Sequence, residues 1–172
     1  GRYYKFDIPA TVKESVKAGA DIENTANQTV HVYNPVSKTV EKPEKPTQKR
    51  VNSVPVPVEM NFTKRLEGKT LEANAFTFEL LENGNVIQTK QNAADGSIQF
   101  DPISYATVGT HTYTVREKAG TDTNIDYDSM NAVVTVNVTK DAQTGLLNAA
   151  VTMPADTEFN NFAVAPDRKS VV

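Results

Sequence analysis

The sequence predicts an all-β sandwich, and three observations carry that expectation. From residue 54 onward, short segments alternate apolar and polar side chains with the two-residue period of a half-buried strand. Turn-forming residues divide them at Asn83-Gly84-Asn85, Asp95-Gly96, Val108-Gly109, Ala119-Gly120 and Thr144-Gly145. Helical periodicity is scarce over the same stretch.

Taken in order, the chain opens with a strand-like segment over 3–12, in which Tyr4, Phe6 and Ile8 alternate with Lys5 and Asp7. A polar turn around Gly19 and a short strand over 28–33 follow. Two or three strands cannot bury a face by themselves, so residues 1–34 read as the C-terminal strands of an upstream β domain. In residues 35–53, Pro35, Pro43 and Pro46 are interleaved with Lys38, Glu41, Lys42, Glu44, Lys45, Lys49 and Arg50, the composition of a stiff, solvated linker. Strands are then expected at 54–66, 74–81, 86–91, 97–100, 110–117, 131–139, 146–152 and 157–162. They suffice for a complete Ig-like sandwich over 54–164, leaving 165–172 as a tail.

Composition narrows the function classes. Eighteen basic and 21 acidic residues among 172 give a formal charge of −3, so there is no basic excess for nucleic acid to exploit. No run of about 18 apolar residues offers a membrane span, and no leader pattern opens the chain. The expectation is a piece of a longer protein with modules in tandem. There is no cysteine, so no disulfide staples the fold. His31 and His111 stand in separate blocks, which argues against a metal site. The run Asp122, Asn124, Asp126, Asp128 has oxygen ligands at alternate positions, but Tyr127 replaces the turn glycine of a calcium loop and Val133 its bidentate glutamate. Neither metal nor cofactor is expected. Hydrolytic nucleophile and phosphate-loop motifs are missing as well.

Three residues break the patterning. Along Val54, Val56, Val58, Met60, Phe62, Lys64 and Leu66, the lysine alone is not apolar. Glu117 shares a face with Tyr113 and Val115, and Asn161 with Phe159. A buried charge costs several kcal/mol unless it is paired or neutralised. An amine, a carboxyl and a carboxamide on three inward faces suggest a site.

The segments NFTKRLEG, FTFELLENG, FDPISYATVGTHTYTVRE, IDYDSMNAVVTVNVT and EFNNF, in that order over about 58–164, resemble the CnaB-type Ig-like domains of Gram-positive pilins and surface adhesins, in particular the streptococcal major pilins. In that family a first-strand lysine attacks an asparagine in a Phe-x-Asn motif on the last strand. A glutamate closing a Tyr-x-Val-x-Glu strand assists. The resemblance implies an internal isopeptide bond between Lys64 and Asn161, with Glu117 as proton shuttle. Asn160 is the alternative electrophile, placed second because it faces away from Phe159. Asn24, in ADIENTA, resembles the closing asparagine of another isopeptide domain type, and a polar strand-end residue is an equal reading.

The chemistry explains these residue types. Lysine must lose its proton to attack, and the amide must be polarised. Burial among Phe62, Phe76, Phe78 and Phe159 disfavours both charges, leaving an amine beside a neutral acid that donates to the Asn161 carbonyl oxygen. The expected product is a structural module of a cell-surface pilus or adhesin stalk, cell-wall anchored through its parent protein, whose partners are neighbouring domains. It is not expected to act as an enzyme on outside substrates. The alternative is a host-ligand-binding adhesin domain that uses the loops near 101–109 and 119–130. The absence of Trp and of any aromatic cluster outside the strands favours the stalk.

Overall fold

The computed structural model describes residues 11, 13, 15–26, 32–41 and 48–164. These residues form strands and turns without a helix. The strands are β1 (Asp21–Ala26), β2 (Val32–Asn34), β3 (Thr39–Glu41), β4 (Gln48–Ser53), β5 (Val56–Val58), β6 (Asn61–Glu67), β7 (Thr77–Glu82) and β8 (Asn85–Gln91). They continue with β9 (Ser97–Gln99), β10 (Ile103–Tyr105), β11 (Gly109–Lys118), β12 (Ile125–Asp126), β13 (Asn131–Lys140), β14 (Leu147–Thr152) and β15 (Glu158–Ala163).

Two sheets face one another as an Ig-like sandwich. One has the order β14-β13-β11-β7-β8, the other β12-β15-β6-β9. Every pairing is antiparallel except that of β15 with β6, so the first and last strands of the four-stranded sheet run side by side in the same direction. Alternation sets what lies between the sheets. Phe62, Phe78, Leu80, Ile98, Val115, Val134, Val136 and Phe159 are each at most 2 % exposed. Phe159 of β15 meets Phe78 of the opposite sheet at 5.2 Å between ring centroids and Phe62 of its own sheet at 6.0 Å. Burying one such side chain contributes about 1.5–3 kcal/mol.

The segment expected as one strand over 54–66 is two. Pro57 has no N–H to give a ladder, which confines β5 to a short antiparallel pairing with β10. Beyond Met60 the chain changes partners and β6 pairs with β9 and β15. β10 and β12, at three and two residues, fall below the length at which alternation shows in a sequence.

The segment before the sandwich differs from the linker expected over 35–53. Its described residues include β3, which forms a hairpin with β2, and β4, which pairs antiparallel with β1. The hairpin turn is held by Asn34, whose side-chain oxygen accepts from the backbone N–H of Val36 at 3.0 Å and Ser37 at 3.3 Å. A charged, proline-rich composition lacks core residues, but backbone pairing needs none. The β1–β4 ribbon is fastened to the sandwich at Gly19, whose N–H donates to Val54 O at 2.8 Å and whose carbonyl accepts from Leu147 N at 2.9 Å. Asp21 takes the Ser53 hydroxyl and the Lys140 ammonium, and the lysine contact, then the serine, holds its carboxyl below the ordinary aspartate value. The expected strand over 3–12, apart from its residue 11, most of that over 28–33, His31 and the tail 165–172 lie outside the described residues.

Two glycines illustrate different demands. Asn83 (φ 51°) and Gly84 (φ 79°) make the two-residue turn joining β7 to β8, with open space where a Gly84 side chain would stand. Gly96 (φ 87°) lies against β6, where an added Cβ would come within 2.4 Å of the Lys64 carbonyl oxygen. Gly84→Ala is expected to cost about 1 kcal/mol from backbone strain alone. Gly96→Ala is expected to cost clearly more and to displace β6. Urea denaturation of the two variants measures the difference, and equal losses would contradict the close packing.

Candidate functional site

Each unusual residue faces inward because its strand alternates. Phe62 and Lys64 are the buried positions of the first half of β6, Tyr113, Val115 and Glu117 those of β11, and Phe159 and Asn161 those of β15. In the parallel ladder Phe159 stands opposite Lys64 and Asn161 opposite Leu66, so lysine and asparagine are diagonal neighbours in one sheet. Glu117 reaches them from the facing sheet. The lysine and glutamate side chains are fully shielded from solvent, and Asn161 is 0 % exposed.

The contacts form a chain. Lys64 Nζ donates to Glu117 Oε2 at 2.8 Å, and Asn161 Nδ2 donates to Glu117 Oε1 at 2.7 Å. One carboxyl thus spans the amine and the amide nitrogen. The Asn161 oxygen Oδ1 accepts the backbone N–H of Asp128 at 2.8 Å, and since an N–H must be met by an oxygen, this contact also fixes which end of the amide faces Glu117. The sequence-based expectation that Glu117 donates to the carbonyl oxygen is therefore corrected. The glutamate touches the amide nitrogen, and a backbone amide takes the oxygen.

The surroundings are apolar. Phe62, Phe76, Phe78 and Phe159 are all buried, and Lys64 Nζ lies 4.7 Å from the centroid of the Phe76 ring. Phe76 is itself covered edge-on by Tyr127 at 6.1 Å. Desolvation lowers the Lys64 pKa from its ordinary 10.5. The Glu117 hydrogen bond opposes it, followed by the charges of Glu117 and Asp128. A lysine so placed gives up its proton more readily than one in water, the requirement for a nucleophilic amine.

The remaining candidates lie elsewhere. Asn160 turns to the other side of β15, and its Oδ1 is a buried acceptor without a hydrogen-bond partner among the described residues. Asn24 is exposed on β1, opposite Arg50. His111 contacts Glu82 at 3.3 Å, and no group of three metal-ligating side chains occurs among the described residues. Of the run from Asp122 to Asp128, Asp122 binds its own turn at Asn124, while Asp128 accepts from Met130 N and Asn160 N, each at 2.7 Å. Sequence reasoning missed Asp128 as a member of the site. Its bond to the N–H two residues on is an Asx turn that the sequence permits, but its approach to Asn161 spans 33 residues.

An Ig-like sandwich enclosing an amine and a carboxamide bridged by one carboxyl has the make-up of an isopeptide-containing domain. A family model, FctA, described as a Spy0128-like isopeptide containing domain, matches residues 60–163, well over half of the chain. The chain belongs to this family, a pilin-type domain of Gram-positive bacteria. A search of curated proteins finds no match.

The buried pair makes a testable demand on stability. In an Asn161→Ala background, Lys64→Met is expected to cost about 3–5 kcal/mol because Glu117 loses its cation. Adding Glu117→Leu is expected to recover much of that loss. Denaturant melts of the three proteins measure it, and a double variant no more stable than Lys64→Met would contradict pairing as the cause.

Proposed function

We propose that this chain is a structural module of a bacterial cell-surface pilus or stalk whose first and last core strands are joined by an amide between Lys64 and Asn161, formed without an external catalyst. The observation that carries the reading is the Glu117 carboxyl, with one oxygen on the lysine nitrogen and the other on the asparagine amide nitrogen.

In this reading Glu117 takes the ammonium proton, and the neutral Lys64 Nζ attacks Asn161 Cγ to give a tetrahedral centre. The added nitrogen loses its second proton through Glu117, which hands one to Nδ2. The Cγ–Nδ2 bond breaks, and ammonia leaves. The balance is one amine plus one primary amide to one secondary amide plus ammonia. The residues are consumed once, so the chain modifies itself and turns over no outside substrate.

The bond would close a loop of about 100 residues, for which the chain-entropy model gives roughly 4–5 kcal/mol of stabilisation. Its position also bears on force. In a sandwich whose first and last strands are parallel, tension entering β6 would cross from Lys64 to Asn161 and leave along β15, bypassing the residues between them. Such a module suits a shaft outside the cell, where thiol reductants cannot open an amide. The tandem division into an upstream piece, residues 1–34, and a sandwich, residues 54–164, belongs to the same proposal. The host-ligand alternative has less behind it, since much of the loop near 119–130 packs on the site or on β15.

Intact mass of the purified chain is expected to fall short of the sequence mass by one ammonia, and Lys64→Ala, Glu117→Ala and Asn161→Ala are each expected to restore it and to lower the melting temperature sharply. A full-mass wild type would refute the bond, and a deficit surviving Asn161→Ala but not Asn160→Ala would move it to Asn160. The rate of ammonia loss is expected to fall in alkali, where Lys64 has already lost the ammonium proton that reaches the departing nitrogen. The alkaline limb is expected below 10.5, because desolvation holds Lys64 under its ordinary value.

A further inference from the structure

A second partner of the Asn161 amide lies outside the Lys64–Glu117–Asn161 set. Asp128 sits in the loop between β12 and β13, and its backbone N–H meets Asn161 Oδ1 at 2.8 Å. Its carboxylate holds the loop in place from both sides: Oδ1 accepts from Met130 N within the loop, and Oδ2 accepts from Asn160 N on β15 itself, each at 2.7 Å. The loop is anchored further along β15 by the β12 pairing, Ile125 with Ala163 and Asp126 with Phe162, and by Val164 N donating to Asn124 O at 2.7 Å. Next to Asp128, Tyr127 packs on the Phe76 ring that covers the Lys64 ammonium. The loop is thus a built lid with one backbone donor aimed at the only oxygen of the reacting amide.

We propose that the Asp128 backbone N–H is the oxyanion donor for attack on Asn161, and that the Asp128 carboxylate is the positioning group that aims it. The inference rests on the cross-linking reading above. When Lys64 Nζ adds to Cγ, the electrons of the C=O bond move onto Oδ1, and a fixed N–H at hydrogen-bond distance stabilises that charge where water is excluded. The arrangement also accounts for the choice between adjacent asparagines. Asp128 presents its own N–H to the Asn161 side chain while its carboxylate takes only the backbone of Asn160, so Asn161 alone has a polarised carbonyl and a nitrogen against Glu117.

The test uses the full chain, made in a short cell-free pulse and quenched at intervals for intact mass, at a temperature below the melting point of each variant. Wild type is expected to lose ammonia fastest. Replacing the Asp128 peptide N–H by an ester oxygen, with the carboxylate kept, is expected to slow the reaction roughly 100-fold, the usual effect of removing one such donor. Asp128→Asn keeps the N–H and one of two acceptors, and is expected to slow it roughly ten-fold. The sign of the second result is informative. The Asp128 charge raises the Lys64 pKa, so if Asp128 acted only through that charge, Asp128→Asn would accelerate the reaction. A wild type that cross-links while both variants match or exceed its rate overturns the oxyanion assignment alone. A wild type that never loses ammonia overturns the cross-link and this inference together. As a readout that does not depend on the Asp128 variants folding, the Asp128 amide proton of the unlinked Glu117→Ala protein is expected to be downfield and protected from exchange, and to lose both properties when Asn161→Ala is added. Free exchange in Glu117→Ala would overturn the assignment.

Discussion

The ion pair between Lys64 and Glu117, closed off from water between two sheets, is the constraint around which the rest is arranged. Taking an ammonium and a carboxylate out of water costs several kcal/mol each, and their attraction offsets this only when the geometry is good and the remaining polar atoms are satisfied. Both carboxyl oxygens are occupied, one by the lysine and one by the Asn161 amide, and the Asn161 oxygen is met by a backbone N–H. The amine has Phe76 against it. Remove any of these and a charge or a dipole is left buried without compensation.

That requirement explains features that look unrelated along the chain. Gly96 has no side chain because its turn presses on the backbone of Lys64, and its carbonyl accepts the Lys64 N–H at 2.7 Å. The loop after β12 is drawn onto β15 because Asp128 accepts the Asn160 backbone amide there while offering its own to Asn161. Asn92, 1 % exposed, performs a comparable service next door. Its side chain accepts from Phe76 N at 2.9 Å and donates to Glu72 O at 2.8 Å, tying down the segment that brings Phe76 over the lysine. Polar residues buried in this sandwich are used to place other groups.

Topology then gives the site its consequence. β6 and β15 are far apart in sequence and adjacent in space, and their parallel pairing is possible because the other strands of the sandwich lie between them in the chain. Contacts of such sequence separation are entropically expensive to close. A covalent link at that point acts on the costliest closure in the domain, which is why the proposed bond stabilises more than a link across a hairpin would.

Alternation made much of this legible in the sequence. It placed Lys64 with Phe62, Glu117 with Val115 and Asn161 with Phe159, because in a strand the face of a residue follows from counting by two. Turn residues such as Asn83-Gly84 marked the hairpin between β7 and β8. The all-β class and the series of core strands follow from these local rules. The short strands β3, β10 and β12, the break of the first expected strand at Glu59-Met60, and the pairing of β4 with β1 inside a linker-like composition were not legible. Their formation depends on which backbone is nearby, and short or charged segments carry no periodic record of it.

What the sequence determined alone is the inward direction of three chemically complementary side chains, a consequence of strand geometry that needs no knowledge of neighbours. Only the tertiary structure decided how they meet. It set Glu117 against the amide nitrogen and gave the amide oxygen to Asp128, because hydrogen-bond partners at such separations are chosen by sheet packing and loop path, and no spacing along the chain encodes them.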